Sequence, residues 1–242
     1  MKLTPIFLAG ASALLIAACN PAETPAESGT STPDAETETS AAEPAEAEPA
    51  GPLADVADAT YALDKNHAFL SFTVIHGGVS EYTVDFTDFD ATLDFNPDQP
   101  ESSTIRVTID PMGLNVNYPS DFSAYHPDSP YTSWPEALSK DARFMQAGTF
   151  PEITFVSTNV ERTGETTGTV TGDLTFLGVT RPVTLDVTFN GVGNTPWTGE
   201  RDILGFNAST TITRSEYGQE SLQGVISDEV EIEFSGEFLQ EE

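Results

Sequence analysis

The sequence predicts an all-β domain of about eight antiparallel strands with one short helix, closed as a barrel or stacked as a sandwich. From Tyr61 onward, apolar residues recur at every second position, as they do in strands with one buried face. Turn-forming residues punctuate those runs: Gly77-Gly78, Asn96-Pro97-Asp98, Gly178, Gly191 to Gly193, Gly218 and Gly224. Helical start signals are concentrated at Ser133-Trp134-Pro135-Glu136, where Ser133 and Glu136 stand at capping-box spacing.

In chain order, the first element is a targeting segment over residues 1–18. Lys2 supplies a minimal positive end, and Ile6 to Ala18 form an apolar run too short to span a bilayer comfortably. The run closes on Ile16-Ala17-Ala18-Cys19, which resembles the lipobox of bacterial lipoproteins, with Ile16 in place of the usual Leu. That resemblance implies cleavage before Cys19, a diacylglycerol on its sulfur, and a membrane-anchored lipoprotein on the periplasmic side of the envelope. Asn20 stands where inner-membrane retention uses Asp, so the outer membrane is favoured over the inner.

Residues 19–55 then read as the lipidated Cys followed by an acidic tether. Nine acids fall between residues 20 and 55, and Pro, Ala, Thr and Ser fill nearly all the rest. Such a segment cannot bury enough apolar surface to offset chain entropy and is expected to be disordered. A flexible chain of this length reaches roughly 30 Å.

The domain proper, 56–242, opens its clearest strand with Ala68, Leu70, Phe72, Val74 and His76 on one face. Val84 and Phe86 are even-numbered, but Phe89, Ala91, Leu93 and Phe95 are odd, so a bulge or sharp bend is expected near Thr87–Asp88. Ile105, Val107 and Ile109 alternate next, then Ile153 and Phe155. Val170, Leu174 and Phe176 follow in a row that Gly172 interrupts, and Val183, Leu185, Val187 and Phe189 form the cleanest row. A further strand lies within 203–213, and the last sets Val230, Ile232 and Phe234 against Glu229, Glu231 and Glu233. The helix runs from Ser133 through Leu138 toward Phe144. Before it lies a long irregular stretch, 115–132, carrying Tyr118, Phe122, Tyr125 and Tyr131; a lid and mere slack both fit it.

Charge narrows the function. With 39 acids against 9 basic residues the net charge is −30, the opposite of what phosphate neutralisation by a nucleic-acid binder needs. Thirty of those acids and eight of the basic residues lie in 56–242, leaving that part at a net −22. A diphosphate head group would meet an unfavourable field there; a neutral one would not. No nucleophile elbow, P-loop, zinc-protease or dinucleotide motif is present, and catalysis is not expected. The one Cys is taken by lipidation, and His67, His76 and His126 are too scattered for a metal site. Neither a cofactor nor a metal is expected.

Several blocks are similar to the YceI-like family. They run from Tyr61-Ala-Leu-Asp64 and Phe72-Thr-Val-Ile-His76-Gly-Gly-Val-Ser80 through Phe150-Pro151-Glu-Ile-Thr-Phe155 and Val170-Thr-Gly172-Asp-Leu174 to Arg214-Ser-Glu-Tyr217-Gly218 and Ile226-Ser-Asp228. They occur in family order over about 60–238. The resemblance implies a lipocalin-like antiparallel barrel, extended along its axis, that binds a long isoprenoid lipid such as a quinone or polyprenyl compound without catalysis. Where the family has an Asp-x-His-Leu segment leading into Asp-Phe-Phe, this chain reads Ala137-Leu138-Ser-Lys140-Asp141-Ala-Arg143-Phe144, without the His and with an enlarged loop before it.

An eight-stranded barrel is wide enough either to be filled by its own side chains or to hold one slim ligand. Phe72, Val74, Phe155 and Phe176 are the expected lining, with His76, Arg143, Phe144 and Arg214 toward the ends. For His76 the competing role is a backbone hydrogen bond, and for Arg143 and Arg214 a salt bridge to one of the many acids. The alternative for the whole domain is a packed acidic envelope-stress or adhesion module with no lipid. A homodimer is compatible with either.

Overall fold

The computed structural model describes residues 51–242, so Cys19, the targeting segment and most of the predicted tether lie outside the described residues. The end of that tether, Gly51–Asp55, forms hydrogen-bonded turns, and Leu53 and Val56 pack against the barrel core.

One long strand organises the wall. β1 (Ala59–His76) is followed by β2 (Ser80–Phe86), β3 (Phe89–Phe95), β4 (Thr104–Ile109) and the two-residue β5 (Leu114–Asn115). After two short helices, α1 (Phe122–Tyr125) and α2 (Trp134–Lys140), come β6 (Ile153–Arg162), β7 (Thr167–Phe176), β8 (Val179–Gly193), β9 (Ile203–Thr213) and β10 (Glu229–Gln240). The order β10-β9-β8-β7-β6-β4-β3-β1, with β10 pairing back onto β1, closes a ring of eight antiparallel strands. This is the predicted barrel, and it removes the sandwich.

β2 and β3 are one strand broken at Thr87–Asp88, where the alternation changes parity; β2 pairs with the second half of β1 and β3 with the first. On its other edge β1 pairs with β10 along nearly its whole length, with an irregularity in register between Leu63 and Ala68. The intervening Asp64-Lys65-Asn66-His67 has no apolar residue to hold it in register. Asp64 instead caps the Asn66 amide at 2.9 Å, and Lys65 reaches Asp90 at 2.9 Å. This irregularity was not expected from the sequence. β5 was missed too; it pairs with β2 outside the ring.

Ser133 accepts from the Glu136 amide and starts α2 as expected, and Glu136 reaches back to the Thr132 amide and hydroxyl. The expected run to Phe144 does not occur. α2 stops at Lys140 because Asp141 turns extended and its carboxylate takes both the amide and the guanidinium of Arg143. α1, capped by Asp121, is an element the sequence did not suggest.

The strand directions place the β1–β2 turn, the excursion 110–152, the β7–β8 turn and the loop 214–228 at one end, called here the lid end. The opposite end is densely packed. Phe95, Phe189, Phe206 and Phe238 meet ring to ring at 5.2–6.5 Å, beside the fully buried Tyr61 and Leu204.

Candidate ligand cavity

The barrel is hollow. A cavity of about 1150 Å³ runs along the axis, larger than the few hundred to a thousand Å³ typical of small-molecule sites. Strand alternation builds its wall: Val183, Leu185 and Val187 of β8 and Ile232 and Phe234 of β10 all point into it. Those five remain partly exposed, although their neighbours outside the barrel are Thr, Asp and Glu. In a filled barrel such side chains would be fully buried.

All eight residues singled out in the sequence border this cavity. Phe72 meets Phe86 at 5.5 Å, Val74 follows it along β1, and Phe155 and Phe176 stand on the facing strands β6 and β7. The Phe155 ring lies over Gly172, where a Cβ would come within 2.4 Å of it, so the glycine that interrupts the β7 row makes room for this ring. His76 is exposed at the lid-end rim, bridged to Ile226.

The arginines bordering the cavity are Arg143, Arg162 and Arg214, and each is already engaged. Arg143 forms a two-pronged pair with Asp141 at 3.0 and 2.8 Å, which holds the Asp141 carboxyl below its usual range and raises the guanidinium. Arg162 donates to the carbonyls of Gly164 and Glu165 in its own turn. Arg214, 3% exposed, donates to the carbonyls of Gln219, Ser221, Ile226 and Ser227 and to the Gln219 side chain. It organises the loop 214–228, and the expected salt bridge does not appear among these bonds. Asp228 beside it pairs with Ser215, whose hydroxyl and amide hold that carboxyl below its usual range.

The lid end adds residues the strand pattern could not supply. Tyr118, Phe122, His126 and Trp134 converge on the cavity, with the Trp134 ring 5.2, 5.0 and 4.8 Å from Tyr118, Phe122 and His126. Tyr118 also touches Tyr82 of β2 at 6.3 Å, and burial raises the Tyr82 phenol, with Tyr118 adding to it. The aromatic content of 115–132 was the available signal; Trp134 and His126 were not included in the predicted site.

Fold and site together define a hollow, lipocalin-like antiparallel barrel with an aromatic-covered mouth. The chain belongs to the YceI-like family: the YceI-like domain matches residues 61–238. A UPF0312 protein of Pseudomonas fluorescens is 40% identical over 162 residues, covering 66% of this chain and 76% of that one. One of Pseudomonas syringae pv. syringae is 36% identical over 184 residues, covering 75% and 87%. Among solved structures, Burkholderia cenocepacia BcnA is similar with a TM-score of 0.56 at 22% identity, covering 74% of this chain and 99% of that one. A polyisoprenoid binding domain from Saccharophagus degradans, implicated in plant cell wall breakdown, gives 0.53 at 16% identity, covering 75% and 98%. At these identities the two structures speak to the fold.

Proposed function

We propose that this protein is a non-catalytic carrier of one long, neutral isoprenoid lipid, held lengthwise in the barrel. The observation that carries this reading is the cavity of about 1150 Å³ walled by large apolar side chains that stay partly exposed. Burying an isoprenoid tail there would gain on the order of 0.8 kcal/mol per methylene-sized group before entropy costs. Membership of the YceI-like family and likeness to a domain described as polyisoprenoid binding support the same ligand class.

Neutrality follows from charge. The arginines along the cavity are spent on Asp141 or on backbone carbonyls, and Asp128, Asp141, Glu161 and Glu165 border the same space. A phosphate would find no unengaged arginine and several carboxylates, whereas a quinone-like head meets no such penalty. The site of action in this reading is the periplasmic face of the envelope, with the barrel tied to the outer membrane through lipidated Cys19. A packed envelope module is disfavoured by the hollow interior.

Organic extraction of the purified full-length protein, followed by mass spectrometry, tests the function. Recovery of an isoprenoid in near-stoichiometric amount is expected. A protein that yields none, and takes up none when offered, is not a carrier.

A further inference from the structure

We propose that Asp64, His67 and Glu237 bind a zinc-like divalent ion on the outside of the barrel, across the seam where β1 meets β10. The His67 Nδ1 and one carboxylate oxygen from each acid all lie within 4.8 Å of one another. Nδ1 stands 2.9 Å from Asp64 Oδ2 and 3.9 Å from Glu237 Oε2. Zinc bonds of about 2.1 Å to nitrogen and oxygen set neighbouring ligands roughly 3.4 Å apart in a tetrahedron, between those two separations.

The seam creates the arrangement. Leu63 pairs with Phe238 and Ala68 with Gly236, so Asp64-Lys65-Asn66-His67 stands opposite the single residue Glu237. The extra length folds back through the Asp64 cap on the Asn66 amide, which sets Asp64 and His67 side by side. Glu237 is remote from both in the chain, and only closure of the barrel brings it to them. The sequence sought partners for His67 among the other histidines; its partners are carboxylates.

Charge makes a cation the fitting occupant. Among the described residues no lysine or arginine lies within 4 Å of either carboxylate. Lys65, inside the same segment, turns to Asp90 at 2.9 Å instead, and Glu237 has only the His67 ring as an ion-pair partner. The His67, Asp64 and Glu237 side chains are 59%, 27% and 44% exposed, so an ion reaches them from solution and water completes its shell. An imidazole with two carboxylates suits zinc and its neighbours, whereas calcium calls for a larger shell made wholly of oxygens. With the ion in place Nδ1 offers its lone pair and Nε2 carries the ring proton; without it, Asp64 and His67 keep the hydrogen bond between them. An ion held here ties the first strand of the wall to the last, and it stabilises the barrel because the unfolded chain has no such site.

Calorimetric titration and thermal melting of the full-length protein, stripped with a chelator, test the site with zinc chloride and calcium chloride as probes. Zinc should bind once per chain and raise the melting temperature when in large excess over its Kd; calcium should do neither. His67→Asn and Glu237→Gln should each weaken zinc binding about tenfold or more and abolish the rise, while Glu231→Gln, on the same strand, should change nothing. Should a variant fail to fold, nitrogen NMR of the histidine rings in the parent decides: zinc should move the His67 Nδ1 resonance and leave His76 and His126 in place. Zinc binding kept by either His67→Asn or Glu237→Gln would put the ion elsewhere, on Cys19 or on the acidic surface at large, and overturn the site. Equal binding of calcium, an unmoved His67 resonance, or no zinc binding by the parent would overturn it as well. None of these outcomes bears on the lipid carrier, which is tested separately.

Discussion

Arg214 shows why residue type alone undersells a side chain. In sequence it is one of few cations among many acids, which points to an ion pair or an anionic ligand; in the fold its guanidinium gathers backbone carbonyls from a whole loop. No local pattern announces such a role, because the carbonyls exist as a cluster only after the chain has turned. Arg214→Lys keeps the charge but loses the planar fork that reaches several acceptors at once. It should cost about 2–3 kcal/mol in urea unfolding. His67 offers a second residue-level test. The Asp64 carboxylate at 2.9 Å raises the His67 ring above its usual range, and the ring in turn lowers Asp64. A raised imidazole contributes stability that is full below its unfolded pKa and is lost as pH rises through the folded one; the lowered carboxylate contributes above its unfolded pKa and loses it as pH falls. The pair therefore helps most in mildly acidic solution. The parent should lose more stability than His67→Asn between about pH 6 and pH 8, by a small margin that salt reduces. Equal losses in the two proteins would contradict it.

At the scale of elements, most of the wall was legible because period-2 alternation is the direct imprint of a one-sided sheet. The rows of β4, β8 and β10 appear where expected, and the parity change at Thr87–Asp88 is the break between β2 and β3. What was not legible depends on partners remote in sequence. The irregularity in β1 lies in its register with β10, the far end of the chain, and α2 stops early because Asp141 prefers Arg143 to another helical turn. Gly172 belongs to this level as well. It looked like a gap in the β7 row, and it proves to be the space that the Phe155 ring of β6 occupies. Gly172→Ala should displace that ring and lower stability by about 1–3 kcal/mol, read as a shift in urea midpoint with the slope unchanged. A neutral result would mean that β6 and β7 separate more easily than their pairing suggests.

For the whole molecule, alternation distinguishes inside from outside but cannot distinguish filled from hollow, since that depends on how many strands close the ring and how far they stagger. The cavity was therefore legible only through resemblance, and the lid aromatics only as a composition. Phe72→Trp examines the difference directly: in a hollow barrel the added bulk obstructs the tail, cutting lipid recovery several-fold, while stability stays within about 1 kcal/mol of the parent. Marked destabilisation with unchanged lipid content would argue that this part of the interior is already full. The closing seam bears on time as well as shape. β1 and β10 are the first and last strands of the barrel, joined from Tyr61↔Gln240 to Thr73↔Glu231. A ribosome or translocation pore delivers the chain from its N-terminus, so β1 must wait with an unpaired edge until the final dozen residues of the wall arrive. Folding of so non-local a closure is slow for its length. A guest threaded into the unfinished ring before β10 docks would be trapped by it, so the order of loading and closure would set whether cargo enters through the lid or is built in.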